Sequence, residues 1–231
     1  MANYVPVDKV AHRDLKVRSQ ASAELGDGRN FVQAVISEFP QLAIQYPIML
    51  TKDSETGAFL CGAVLGYDAD ENLFLREGGG YEGYRPLALR RDPFVPAGEA
   101  LAIDLDSPRI SDDGDALFVE EGEPSPYLQE TIRAVHRFWT GLEETNVFIA
   151  ALSQHRLIAP VEIKLHFDDG SSRDLAGLYS INEETLEGLE SDTVVELFRN
   201  GYLHLISLMR ASVKHIPVLA QKKNERIVRG V

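Results

Sequence analysis

The chain has 231 residues, 44% of them hydrophobic, and a formal net charge of −13 from 23 basic and 36 acidic residues. That is apolar material for one substantial core or two small ones, and the acidic balance sets the molecule as a whole against phosphate backbones and anionic membrane surfaces. No nucleic-acid partner is expected, the single cysteine excludes an intrachain disulfide, and no apolar run reaches the length of a membrane span.

Residues 1–20 carry Asp8, Lys9, Arg13, Asp14 and Lys16 and hold no apolar block of signal-peptide length. The expected location is therefore the cytoplasm, although export by a signal-independent route would leave no mark in the sequence. Residues 4–10 read as an extended arm around Pro6, and a polar segment with Gly26-Asp27-Gly28 follows. Phe31, Val32, Val35, Ile36 and Phe39 recur at helical spacing, which predicts a short helix that Pro40 stops.

Residues 46–106 read as an antiparallel β-meander, because short apolar runs alternate with turn residues. Cys61 lies in one such run, 59–65, as a small buried hydrophobe with no histidine near it in sequence to activate the thiol. Gly78-Gly79-Gly80 has neither GxxxxGKS/T nor GxGxxG spacing, so a flexible turn is expected rather than a phosphate loop. Beyond it, Tyr81, Tyr84, Arg85, Arg90 and Arg91 make a small basic, aromatic cluster. Such a cluster suits a carboxylate, a phosphate or a protein contact, and its plain alternative is a solvated strand edge.

Residues 99–123 hold nine carboxylates (Glu99, Asp104, Asp106, Asp112, Asp113, Asp115, Glu120, Glu121 and Glu123) against one base, Arg109. Such repulsion calls for full solvation or a cation. An EF-hand register that puts Gly114 at the sixth loop position puts Arg109 at the first, where it cannot ligate calcium. A solvated acidic loop is the expectation, an irregular calcium or magnesium site the alternative.

Ser125-Pro126 is a strong helix start. Leu128, Ile132, Val135, Trp139, Leu142, Ile149 and Leu152 then predict the longest helix, from Tyr127 to about His155, with Gly141 as the place for a bend and Phe138 and Trp139 in the core. Two β-rich runs, 161–167 and 173–181, flank the turn residues 168–172 as a hairpin. Asn182 caps the first of the following helices, Gly201 interrupts them, and Pro217 ends the last apolar run. From Arg210 onward six basic residues face one acid, Glu225, so the tail either pairs with acidic residues, binds an acidic partner or frays into solvent.

The sharpest catalytic pattern is His166-Phe167-Asp168 with His204 or His215 downstream, an imitation of the HxD…H triad that holds non-haem iron. Lys222 or Arg226 would then grip a 2-oxoglutarate carboxylate. Against it, Asp168 is more simply a turn residue, and His204 and His215 lie on an apolar helical run. There is no HExxH and no GxSxG, and Glu183, Glu184, Glu187 and Glu190 read as the wet face of an amphipathic helix.

Several stretches together resemble the SapC family of bacterial proteins over nearly the whole chain. They are Tyr46-Pro47-Ile48, Asn72-Leu73-Phe74-Leu75, Arg90-Arg91-Asp92-Pro93-Phe94, residues 103–109, residues 122–128, residues 177–184 and Gly201-Tyr202-Leu203. The resemblance implies a Gram-negative bacterium and a role near surface-layer or outer-membrane-receptor systems. It supplies no catalytic residues, and at the hairpin it concerns Asp169-Gly170 and Gly177-Leu178-Tyr179 rather than His166.

The sequence thus predicts an α+β protein, with an antiparallel β-meander in the first half and a β-hairpin plus helices in the second. One domain is expected over 1–231: an arm and short helix (1–45), a β-rich part (46–123), a helix, hairpin and C-terminal helices (124–217) and a basic tail (218–231). The leading expectation is a non-catalytic accessory protein, without a cofactor, that binds a protein or peptide partner through Tyr81, Tyr84, Arg85, Arg90, Arg91, Asp104, Asp106 and Arg109. The alternative is an iron enzyme modifying a peptide or small molecule at His166, Asp168 and His215.

Overall fold

The computed structural model describes residues 2–98 and 100–230, in an α+β arrangement whose paired strands all run antiparallel. Glu99 of the acidic segment lies outside the described residues. The arm opens as β1 (Tyr4–Pro6), followed by β2 (Lys16–Val17), a 3-10 turn at Ala23–Leu25 and β3 (Phe31–Gln33). A second 3-10 turn, Ile36–Glu38, runs into α1 (Phe39–Leu42), and β4 (Ile48–Lys52) and β5 (Phe59–Val64) form a hairpin. Then come α2 (Leu87–Arg90), β6 (Phe94–Ala97), β7 (Ala100–Asp104), β8 (Asp115–Ala116) and the long α3 (Pro126–Gln154). The remainder is β9 (Ile158–Pro160), β10 (Ile163–His166), β11 (Ser172–Leu175), β12 (Tyr179–Ile181), α4 (Glu183–Glu187), α5 (Ser191–Arg199), α6 (Tyr202–Ser212) and α7 (His215–Arg229). No helix among the described residues is long and apolar enough to cross a membrane.

The chain divides into two compact units, Met1–Arg29 with Phe74–Thr140 and Asn30–Leu73 with Gly141–Val231. In the first, β7 lies between β1 and β6, and Ile103 is paired with Val5 on one side and Phe94 on the other. Consecutive residues Ala102 and Ile103 of β7 are both buried, so the strand is covered on both faces there, and a core of Val17, Phe94, Ile103, Leu117, Leu128 and Val135 forms in the unit. Ser125 caps α3 as its sequence predicts, its hydroxyl accepting the Leu128 N–H at 3.2 Å.

The second unit is built on a five-stranded sheet in the order β3-β5-β4-β12-β9. The continuous apolar run of residues 59–65 is explained by burial on both faces of β5, since the consecutive residues 61–65 are all buried. At Gly62 the backbone of β3 lies too near for a side chain, since a Cβ there would stand 2.4 Å from the Val32 carbonyl oxygen. Phe39 and Phe148 meet edge to face at 6.1 Å, and Ser212 at the end of α6 accepts the Ile48 N–H at 2.9 Å, tying that helix to β4.

Five local expectations are corrected. The helix expected over Phe31–Phe39 is a strand, a 3-10 turn and a new helix, because pairing of Phe31 with Val64 and of Val32 with Ala63 claims the first residues for the sheet. Pro40 then opens α1 rather than stopping a helix, since the first turn has no use for its missing N–H. The hairpin holds only from Ile163↔Leu175 to His166↔Ser172; Tyr179–Ile181 leaves it to pair with β4 and β9. Pro217 likewise sits in the first turn of α7, and the tail is that helix rather than a frayed end. Finally, Trp139 is 39% exposed instead of in the core, with the Arg91 guanidinium over its ring at 5.2 Å, while Phe138 is buried as expected.

Candidate functional site

The most elaborate polar arrangement lies in the first unit, around a residue the sequence reading passed over. Asp27 follows the 3-10 turn at Ala23–Leu25, and its carboxylate is completely buried. It accepts the Ser22 N–H at 3.0 Å, Arg85 Nη2 at 2.9 Å and Arg109 Nη2 at 2.7 Å. Arg109 Nη1 donates to the carbonyls of Arg18 and Gln20 at 3.0 and 3.1 Å, and Arg85 donates to those of Ser19 and Leu89 at 2.8 and 3.1 Å. One carboxylate and two guanidinium forks thus fasten residues 18–22, α2 and the segment around Arg109 to each other. Burial presses Arg85 below the usual guanidinium value, and Asp27 pulls it back toward the charged form. The cluster buries two positive charges against one negative.

Over this cluster opens a cavity of about 420 Å³, within the size range of small-ligand and peptide side-chain sites. Arg85, Ser19, Arg90, Asp92, Asp115, Tyr127, Glu130 and Thr131 supply its polar lining. Several are fixed by their own neighbours. The Ser19 hydroxyl donates to Asp115, Asp92 is held by Arg29, and Arg91 stands 3.6 Å from Asp92 with its guanidinium 5.0 Å above the Phe138 ring. Tyr127, the second residue of α3, packs its ring near Phe94 at 6.4 Å. Burial pushes its phenol up to about 12, so at neutral pH the hydroxyl remains a donor. The lining as a whole presents donors and acceptors of both charge signs around one opening.

Of the expected contact residues, Arg85 and Arg90 are brought to this cavity, together with Asp115 from the acidic segment. Arg109 is 1% exposed and works beneath it by holding Asp27, so it is not a surface contact. Arg91 is turned to the Phe138 and Trp139 rings. Tyr81 stacks on Phe74 at 6.4 Å, Tyr84 is half-buried, and neither lines the cavity. Asp104 accepts the backbone N–H groups of Asn3 and Asp106 as a turn residue, and Asp106 itself is exposed.

The residues of the iron reading are not brought together. His166 is exposed on β10, and the Asp168 N–H donates to Asn224 near the end of α7. His215, at the start of α7, has its Nε2 2.9 Å from the Ala43 carbonyl. Asn224 lies nine positions beyond His215 along α7, a rise of about 13.5 Å. Among the described residues no three His, Cys, Asp or Glu side chains gather as a metal site, in the acidic segment or elsewhere.

The basic tail finds its acids in the second unit. Lys223 Nζ lies 2.9 Å from Asp68 and 2.5 Å from Glu71, and Arg226 donates to the Asn72 carbonyl at 3.1 Å. The sequence signalled the charge of this tail but not these partners, which stand 155 and 152 residues upstream of Lys223.

A protein-family model described as SapC matches residues 7–219, nearly the whole chain. No curated protein and no solved structure matches the chain.

Proposed function

This chain belongs to the SapC family, and on that premise we propose that it is a non-catalytic accessory protein that holds a segment of a protein or peptide partner. The observation that carries the reading is the first-unit cavity, in which Arg85 is pre-positioned by Asp27 and two carbonyls beside the exposed Arg90, while Asp92, Asp115 and Glu130 face the same space. A polypeptide offers backbone donors and acceptors and side chains of either charge, and a lining of both signs suits it better than it suits a simple anion. Fixing the wall residues in advance lowers the ordering cost on binding. The Tyr127 phenol, with its raised value, contributes a hydrogen-bond donor rather than a base at neutral pH. A partner from surface-layer or outer-membrane-receptor systems, met in a reducing cytoplasm, belongs to the same proposal and draws on the family resemblance and the single cysteine.

Selection of a random peptide library on the full chain tests it. Enriched peptides carrying both charge signs should bind about tenfold more weakly to Arg90→Glu, a substitution at an exposed position, with no change in thermal unfolding. Equal binding by the variant, or a selection that enriches nothing, would overturn the reading.

A further inference from the structure

The charges at the first-unit cavity do not balance. Asp27 is one carboxylate shared by two guanidinium groups, with Arg109 1% and Arg85 17% exposed. Among the described residues no second carboxylate comes within ion-pair reach of Arg85, and none within reach of Arg90, which is exposed at the same opening. A charge held out of water is ordinarily paired, so the excess calls for an anion. Arg85 also keeps a donor in reserve. Its Nη atoms are taken by Ser19, Leu89 and Asp27, while its Nε–H is buried without a hydrogen-bond partner. Two of the acids lining the cavity are already engaged, Asp92 by Arg29 and Asp115 by the Ser19 hydroxyl, and the third, Glu130, is exposed. Tyr127 brings a hydroxyl that stays protonated at neutral pH.

We propose that the cavity recognises a carboxylate of the partner segment, seated on Arg85 and Arg90 with the Tyr127 hydroxyl as a further donor. This rests on the peptide-binding reading above and adds which group of the peptide is read. A guanidinium matches a carboxylate in both charge and geometry, and the match is strongest where water is excluded. A phosphate would bring close to two negative charges past Asp115 and Glu130, whereas a carboxylate brings the single charge that the buried cluster lacks. The carboxylate is the C-terminal one or that of an Asp or Glu side chain, and the chemistry at the arginines is the same for both.

The test is an NMR titration of the full chain, followed at the Nε–H resonance of Arg85. The probes are short acetylated alanine peptides ending in a free carboxylate or in an amide, and amide-ended ones with a central glutamate or glutamine. Peptides carrying a carboxylate should shift the resonance and saturate, and their amide or glutamine counterparts should bind about tenfold more weakly. Binding confined to the free-ended peptide assigns the C-terminal group, and binding confined to the glutamate peptide assigns a side chain; either supports the proposal. Arg90→Glu should weaken the carboxylate peptides about tenfold, while Lys9→Glu, the same charge change at an exposed position outside the cavity, should not. Equal weakening by both variants would overturn the proposal by reducing the attraction to net charge. Inorganic phosphate that shifts the resonance more strongly than acetate would overturn it by assigning the site to another anion. Equal binding of carboxylate and amide peptides would overturn it and leave the peptide-binding reading standing, whereas failure of every peptide in either form would overturn both.

Discussion

Asp27 Oδ2 accepts a 2.7 Å hydrogen bond from Arg109 Nη2, and neither side chain is more than 1% exposed. Joined by Arg85 on the other carboxylate oxygen, this pair is the polar centre of the first unit. Removing the shared carboxylate would leave two guanidinium groups without their counter-charge, whereas removing either arginine leaves Asp27 the other guanidinium. Asp27→Ala should therefore cost about 3–5 kcal/mol in urea unfolding, more than Arg109→Met, which in turn should exceed Arg85→Met because Arg85 is 17% exposed. A reversed order would mean that the carboxylate is not what joins these segments.

Asp68 gives the second unit an acid-sensitive contact. Hydrogen bonds from Arg173 and Lys223 hold its carboxyl below the ordinary value of 3.8, so the stability it contributes is present above that pH and is lost as pH falls through its folded value. Burial opposes the charge on Lys223, but hydrogen bonds to Asp68 and Glu71 outweigh it and raise the ammonium above 10.5. That contribution is complete below pH 10.5 and disappears above it. Stability measured against pH should thus fall less steeply below pH 4 for Asp68→Asn than for wild type, and less steeply above pH 10.5 for Lys223→Met. Parallel curves at both ends would remove Asp68 and Lys223 from the account of the tail.

Burial pushes the Cys61 thiol up to about 12. With 1% exposure in β5, it should resist labelling by a disulfide reagent at pH 8 and react at once when the chain is unfolded in urea. Fast labelling of the native protein would show that the five-stranded sheet opens readily at β5.

Gly141 lies within α3, where alanine ordinarily gains about 1 kcal/mol over glycine. Here an added Cβ would stand 2.8 Å from the Cβ of Val35, and the turn carrying Val35 is fixed by the Ile36 N–H donating to Thr145 Oγ1 at 3.0 Å. Overpacking of about 1–3 kcal/mol should cancel or exceed the helical gain. Gly141→Ala is expected to lower the urea midpoint, and to lower it less in a Val35→Gly background, where the opposing Cβ is gone. Stabilisation by Gly141→Ala alone would contradict the packing.

Much of the fold was legible because it is decided locally. The Ser125 and Asn182 caps stand where their sequences put them, Asn182 accepting the Thr185 N–H at 3.1 Å, because a cap needs only a side-chain oxygen three residues from an open N–H. Local pattern does not decide the structure where it has two solutions. The spacing from Phe31 to Phe39 fits a helix, but a strand followed by a turn satisfies it too, and β5 decides between them. Pro40 and Pro217 mark helix boundaries, but a proline can open a helix as well as close one, and both open theirs.

Taken alone, the sequence determined an acidic α+β chain of the SapC family, the start of its longest helix, its β4–β5 hairpin and the charge of its tail, since these follow from composition and from groups a few residues apart. Only the tertiary structure decided that Asp27 meets arginines 58 and 82 residues away, that the tail's Lys223 answers Asp68 and Glu71, and that Phe198 is left in water. The reason is that a charge or an apolar face states what it needs but not where the partner lies. That distance is set by how the strands and helices close on each other, which no window of sequence contains.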